Sequence, residues 1–118
     1  MRYRPFGASG GAVSSLTLSL GLGALTRGEA AAHDLIYAAL EAGINAYSLE
    51  SADPVLAEVL GHAVSNVDRK LLNISLHLGA GDGRKGSARD FSAEGMTGAI
   101  DRCLHVSGLG WFDLAILD

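Results

Sequence analysis

The chain has 118 residues, of which 48% are hydrophobic and 19% charged, and its formal net charge is -4. That length holds one domain with its own core, and the composition is globular rather than disordered. Its nine arginines and lysines are scattered, never more than two together (Arg69–Lys70 and Arg84–Lys85), which excludes the basic footprint of a nucleic-acid binder and the cationic cluster of a membrane-surface anchor.

Tyr3 to Phe6 and Ala12 to Ser14 flank the glycine-rich reversal GASGG, so a short hairpin is expected at the start. SLTLSLGLGAL follows, with Leu16, Leu18 and Leu20 alternating with Thr17 and Ser19, and this period of two predicts a strand with one apolar face. TRGEAAAHDLIYAALEAG reads as a helix. Thr26 and Glu29 suggest a capping box, Gly43 suits the left-handed closing position, and Leu35, Ile36, Ala39 and Leu40 form the expected buried face. INAYSLE predicts a second strand, after which Asp53 and Pro54 look like the N-cap and first residue of a second helix. Val55, Leu56, Val59, Leu60 and Ala63 give that helix its apolar stripe.

LLNISLHLG predicts the third strand and GAGDGRKGSARDF a long polar loop. Ser92 is the expected cap of a third helix, with Met96, Ile100, Cys103 and Leu104 inward and Gly108 at its end; WFDLAILD is a fourth strand. Cys103 is the one cysteine, which excludes an internal disulfide and fits a reducing compartment, and its place on the apolar stripe predicts core packing rather than nucleophilic chemistry. MRYRPFGASGG lacks a signal peptide's apolar core, and no run approaches the roughly 18 apolar residues of a membrane span. A soluble, cytoplasmic protein is the expectation.

A hairpin followed by βαβαβαβ demands right-handed crossovers and a parallel sheet covered by helices. In this order the motifs resemble the N-terminal half of an aldo-keto reductase. MRYRPFGASGGAVSSLTLSLGLG is similar to that family's RxLGxSGxxVSxLGLG opening. LIYAALEAGIN, EVLGHAV and DFSAEGMTGAIDRCLHVSGLGWFDLAILD resemble its first helix, the helix after its catalytic turn, and its third helix with fourth strand. The resemblance spans the chain and implies one truncated, half-barrel domain over residues 1–118, part of a TIM (β/α)8 barrel. It also implies NADPH-dependent carbonyl reduction, with a tyrosine as proton donor beside a lysine, an aspartate and a histidine at the C-terminal ends of the strands.

Carried over by position, none of the four catalytic residues is retained. The family aspartate, in a pattern like INFxDTAxxYG, corresponds to Ser48, and its tyrosine by count to Asp53; matching Leu60 and Gly61 instead makes the turn about two residues short. Tyr47 is close by, but strand alternation sends it to the opposite face from Ser48, under the helices. The family lysine corresponds to Leu76 when counted from Lys70, or to His77 when anchored on Gly79. Polarity favours His77, which shares a face with Asn73 and Ser75. Anchored on Asp113 and Leu114, the family histidine corresponds to Asp118.

The family holds its cofactor mainly from the second half of the barrel, so no cofactor is expected for the isolated chain, and NADPH only if the activity survives. Gly21 to Gly23 and Gly79 to Gly83 lack the spacing of a phosphate loop. Ser48, Glu50, Asp53, His77 and Asp118 would gather near one end of the sheet, yet each has a structural or solvated alternative, so no metal site is expected. A Ser48–His77–acid hydrolytic set lacks a nucleophile elbow. Four strands leave two open edges, which predicts a homodimer or other oligomer through those edges. Two readings follow: a catalytically inactive relative acting as a binding or assembly module, a pseudoenzyme, or an NADPH-dependent carbonyl oxidoreductase completed by a second chain. The first is favoured, and the small-molecule ligand stays unassigned.

Overall fold

The computed structural model describes residues 3–6, 11–78 and 93–117. Along them lie β1 (Tyr3–Phe6), β2 (Gly11–Ser14), β3 (Thr17–Leu20), α1 (Glu29–Glu41), β4 (Ala46–Leu49), α2 (Pro54–Ala63), β5 (Asn73–Leu78), α3 (Ala93–Ser107) and β6 (Leu114–Leu117). β1 and β2 pair antiparallel as the expected hairpin, and β3, β4, β5 and β6 form a parallel sheet in that order. Four parallel strands alternating with helices are an α/β fold resembling part of a TIM barrel. Residues 7–10 of the GASGG reversal, the polar loop 79–91, the expected cap Ser92, and Asp118 lie outside the described residues. No helix among the described residues is long and apolar enough to cross a membrane.

Parallel pairing sets residues side by side on the same face. One row is Leu18, Tyr47 and Ile74; the row above it is Leu20, Leu49, Leu76 and Ala115. Leu20, Tyr47, Leu49, Ile74, Leu76 and Leu78 are buried against Ile36, Leu56, Leu60 and Cys103 from the helices, and this is the core. Full burial of each such leucine or isoleucine contributes about 2 kcal/mol. The opposite face carries Ser19, Ser48, Ser75 and Leu114 in one row. Every residue of β4, which has a neighbour on each side, is buried; the outer strands β3 and β6 are largely exposed.

The helix ends follow their local chemistry. Asp53 caps α2, its Oδ1 accepting from the Val55 and Leu56 amides at 2.8 and 3.4 Å, and Pro54 occupies the first turn, where a missing N–H costs nothing. Gly43, at φ 88°, ends α1 with bonds from its own amide to the Leu40 carbonyl and from Ile44 to Ala39.

At the other end of α1 the expected capping box does not form. The chain leaves β3 through a short 3-10 helix, Leu22–Leu25, and Thr26 Oγ1 donates to the Gly23 carbonyl within it. The N-cap is Gly28 at φ 94°, which no side chain caps. Three apolar positions also depart from expectation. Leu16 is 59% exposed because it precedes β3, in a bend where Ser14 Oγ donates to its carbonyl. Leu35 and Val55 stand outside the stripes that reach the sheet, Ala32, Ile36 and Ala39 on α1 and Leu56, Val59, Leu60 and Ala63 on α2.

Two polar ties fasten the ends of the sheet. Ser14 and Asn45 exchange bonds, the Ser14 amide donating to Asn45 Oδ1 at 2.6 Å and the Asn45 amide to Ser14 Oγ at 3.1 Å, which joins the hairpin to the entry of β4. The Arg69 guanidinium lies 4.5 Å over the Trp111 ring and donates to the Leu109, Leu72 and Trp111 carbonyls and to Asp113. Asp113 Oδ2 in turn accepts from the Ile74 amide at 2.7 Å, while the Asp113 amide donates to the Ile74 carbonyl. α3 meanwhile packs on α2 across Gly61. A Cβ at Gly61 would fall on the Ser107 carbonyl oxygen and lie 2.7 Å from the Ser107 carbonyl carbon, which is backbone and cannot swing away.

Gly61→Ala should therefore lower stability by about 1–3 kcal/mol, the cost of overpacking, read from the urea midpoint. Arg69→Met keeps the apolar stem but removes the guanidinium from three carbonyls and from Asp113, which retains its bond from the Ile74 amide. A loss of about 3 kcal/mol is expected, with the Trp111 emission shifted in the native baseline.

Candidate functional site

The strand ends where the family keeps its chemistry can be read position by position. Ser48 lies in β4 between Ser19 and Ser75 and is buried. Ser75 Oγ donates to the Tyr47 carbonyl at 3.5 Å. One step beyond the row of Leu20, Leu49 and Leu76, the chain continues to Gly21, Glu50 and His77. The Glu50 amide donates to the Leu20 carbonyl at 2.9 Å, and its carboxylate lies where a Cβ on Gly21 would be. His77, half-buried, pairs with Ile116 of β6 and shares the polar face with Asn73 and Ser75. Leu76 points the other way and is wholly buried among core residues.

Asp53, though buried, has its carboxylate committed to the amides that start α2. Asp118 lies outside the described residues, as does the glycine run 79–83. Gly21 to Gly23 lead from β3 into a four-residue 3-10 helix rather than into an α-helix N-terminus. No group of three or more His, Cys, Asp or Glu side chains among the described residues is arranged to hold a metal ion.

The carbonyl reduction that the resemblance implies uses a tyrosine hydroxyl of lowered pKa beside the substrate as its general acid. The chain has three tyrosines, and none stands there. Tyr3 belongs to the hairpin, its hydroxyl donating to the Gly43 carbonyl; Tyr37 is exposed on α1. Tyr47 lies on the helix-facing side with no exposure, donating to the Ile44 carbonyl at 2.7 Å, and burial pushes its hydroxyl up to about 12. Cys103 is equally enclosed. Burial, reinforced by the nearby Asp53 charge and opposed by Arg102, pushes its thiol up to about 11, away from a nucleophile's range.

No protein-family model matches the sequence, and no curated protein matches it. Among solved structures, one described as "Putative aldo-keto reductase from Pseudomona aeruginosa" superposes with a TM-score of 0.75 at 26% identity, over 98% of this chain and 45% of that one. The chain is an aldo-keto-reductase-like partial barrel. It spans less than half the length of the structure it matches. Within this partial barrel the polar face of the sheet, from Ser19 through Ser48 and Ser75 to His77, is the counterpart of a barrel interior.

The sequence did not single out Arg69 or the α1–α2 surface. Arg69 sits in a 3-10 turn without periodicity, and its partners beyond Leu72 lie about forty residues on; only the arginine-then-WxD pairing across a βαβ unit hints at them.

The buried hydroxyl and thiol make a pH prediction. Both folded-state values lie above the ordinary ones of 10.0 for Tyr47 and 9.0 for Cys103. Below pH 9 both groups are protonated whether the chain is folded or unfolded, so their contribution is complete there and is lost as pH rises from 9 to about 12. The urea midpoint should hold from neutrality to that point and then fall, and Cys103→Ala should flatten the lower part of the fall.

Proposed function

We propose that residues 1–118 form one half-barrel unit that works without redox chemistry of its own, as a binding or assembly module built on an aldo-keto reductase frame. The observation that carries this reading is the fate of the polar groups around the second strand: Ser48 lies buried between two other serines, and Asp53 caps a helix. No tyrosine or lowered hydroxyl takes their place. The sheet's outer strands favour an assembly role, since β3 and β6 have one neighbour each among the described strands, and Leu114 and Leu117 are 42% and 61% exposed. Two copies sharing edges would satisfy both, giving a homodimer with twofold symmetry.

A second reading rests on His77. His77 is an imidazole on the polar face, the one ionisable nitrogen within the described residues of the parallel strands, and it could carry a positive charge close to a reacting carbonyl. With a second chain supplying the remaining strands and the NADPH site, the frame would serve as half of a carbonyl oxidoreductase. Nucleic acid and membrane are not partners in either reading.

Titrating the purified chain with NADPH while following Trp111, its one tryptophan, distinguishes them when light scattering measures mass alongside. The module predicts no saturable response and a dimer mass. Saturable micromolar binding would instead support the oxidoreductase, and a stable monomer would remove the edge-sharing dimer.

A further inference from the structure

α2 packs between α1 and α3, and the strand order runs from β3 to β6, so α1 and β3 form one flank of the partial barrel and α3 and β6 the other. On α1, the His33 ring lies 5.2 Å from that of His62, which fixes the side of the helix turned to α2. Leu35 follows two positions later, about 200° around the helix, and is 46% exposed. Ala31 and Ala38 stand four residues before it and three after it. The side of α1 turned away from α2 is therefore an apolar strip of small residues around one leucine, beside the open edge of β3. The other flank ends in β6. Ala115 and Leu117 lie on its helix-facing side, in the rows of Leu76 and Leu78, yet both are exposed, Leu117 at 61%.

We propose that a second copy of the chain covers both flanks at once: β6 of each copy pairs in parallel with β3 of the other, and the Leu35 strip of each α1 lies over Ala115 and Leu117 of the other. This rests on the dimeric module proposed above and specifies how it is built. Strand direction separates the ways of sharing edges. β3 and β6 run parallel, so a twofold axis along the strands sets β6 beside the other copy's β3 with both running the same way. Joining β6 to β6 instead turns the strands antiparallel and leaves β3 and the Leu35 strip uncovered. Two copies also supply eight parallel strands from those described, the number at which such a barrel closes around a filled interior and loses its edges. One chain spans 45% of the reductase structure it matches, so a second copy stands where the rest of that barrel stands. Ala31 and Ala38 let α1 approach β6 closely. The polar face of Ser19, Ser48, Ser75 and His77 is then enclosed by its own twofold equivalent.

Crosslinking tests the pairing. In a Cys103→Ala background, Leu35→Cys and Leu117→Cys chains are refolded together and treated with a short bismaleimide. Joined dimers holding one chain of each kind are expected, with little joining when the Leu117→Cys chain is alone. Joining of Leu117→Cys to itself, or none between the two kinds, overturns the pairing even where light scattering gives a dimer mass. Without any crosslinker, Leu35→Lys and Leu117→Lys should each raise the dimer's dissociation constant about tenfold or more, because a charge enters the contact. Tyr37→Lys, on the α2 side of α1 beside His33, should leave it unchanged. All three side chains are exposed, so the variants should fold, which circular dichroism checks. Indifference of the dimer to Leu35→Lys overturns the pairing. A stable monomer overturns the pairing and the dimeric module together, whereas saturable NADPH binding by a dimer crosslinked as expected overturns the module alone.

Discussion

A parallel sheet covered by helices on one side must turn an apolar side to them from every strand, and equal register carries that demand from strand to strand. Once Leu20 is committed to the core, Leu49 and Leu76 beside it are committed as well, and Ser19, Ser48 and Ser75 are sent to the other face. Most of the remaining structure answers to this constraint. Tyr47 cannot reach the strand-end chemistry although it neighbours Ser48, because it is one residue out of phase with that face. Leu76 and His77 differ by one position, yet one is core and the other faces the polar interior. A single-residue slip would exchange these roles throughout the strand.

That constraint also explains what the sequence disclosed. Period-two strands, the Asp53–Pro54 helix start and the closing Gly43 were legible because each depends on residues within a few positions of one another. Thr26 and Glu29 were misread for the same reason: they have the spacing of a capping box, but a 3-10 turn uses Thr26 before the helix begins. The wider stripe expected for α1 included Leu35, because periodicity marks an apolar sector and only packing decides its width. Arg69 with Trp111 and Asp113, Ser14 with Asn45, and the contact at Gly61 were not legible, since each joins segments at least thirty residues apart. At the candidate site, residue identities came from the sequence. That Asp53 is spent on the α2 amides, as its place before Pro54 suggested, was established only in the folded structure.

The comparison with a reductase barrel places the fold and leaves the chemistry to the residues. At 26% identity over nearly the whole chain, the frame is held by glycines, apolar rows and helix caps. Among the residues described at the strand ends, one carboxylate visibly serves the fold. Asp53 illustrates the point: a carboxylate in a barrel turn can be an acid of the reaction or an acceptor for two amides, and here it accepts from two.

The Arg69 clamp has a bearing on cooperativity. Its bonds to Leu109, Trp111 and Asp113 span 40, 42 and 44 residues, and all end in the short segment before β6. Closing a loop of that length costs about 3 kcal/mol in chain entropy, and the charge is incurred once, not once per bond. The first contact to form bears the whole cost and the others follow nearly without it. Attachment of the last strand is therefore close to all-or-none, and a weakening of any one bond is felt as a change in how often the whole strand is docked.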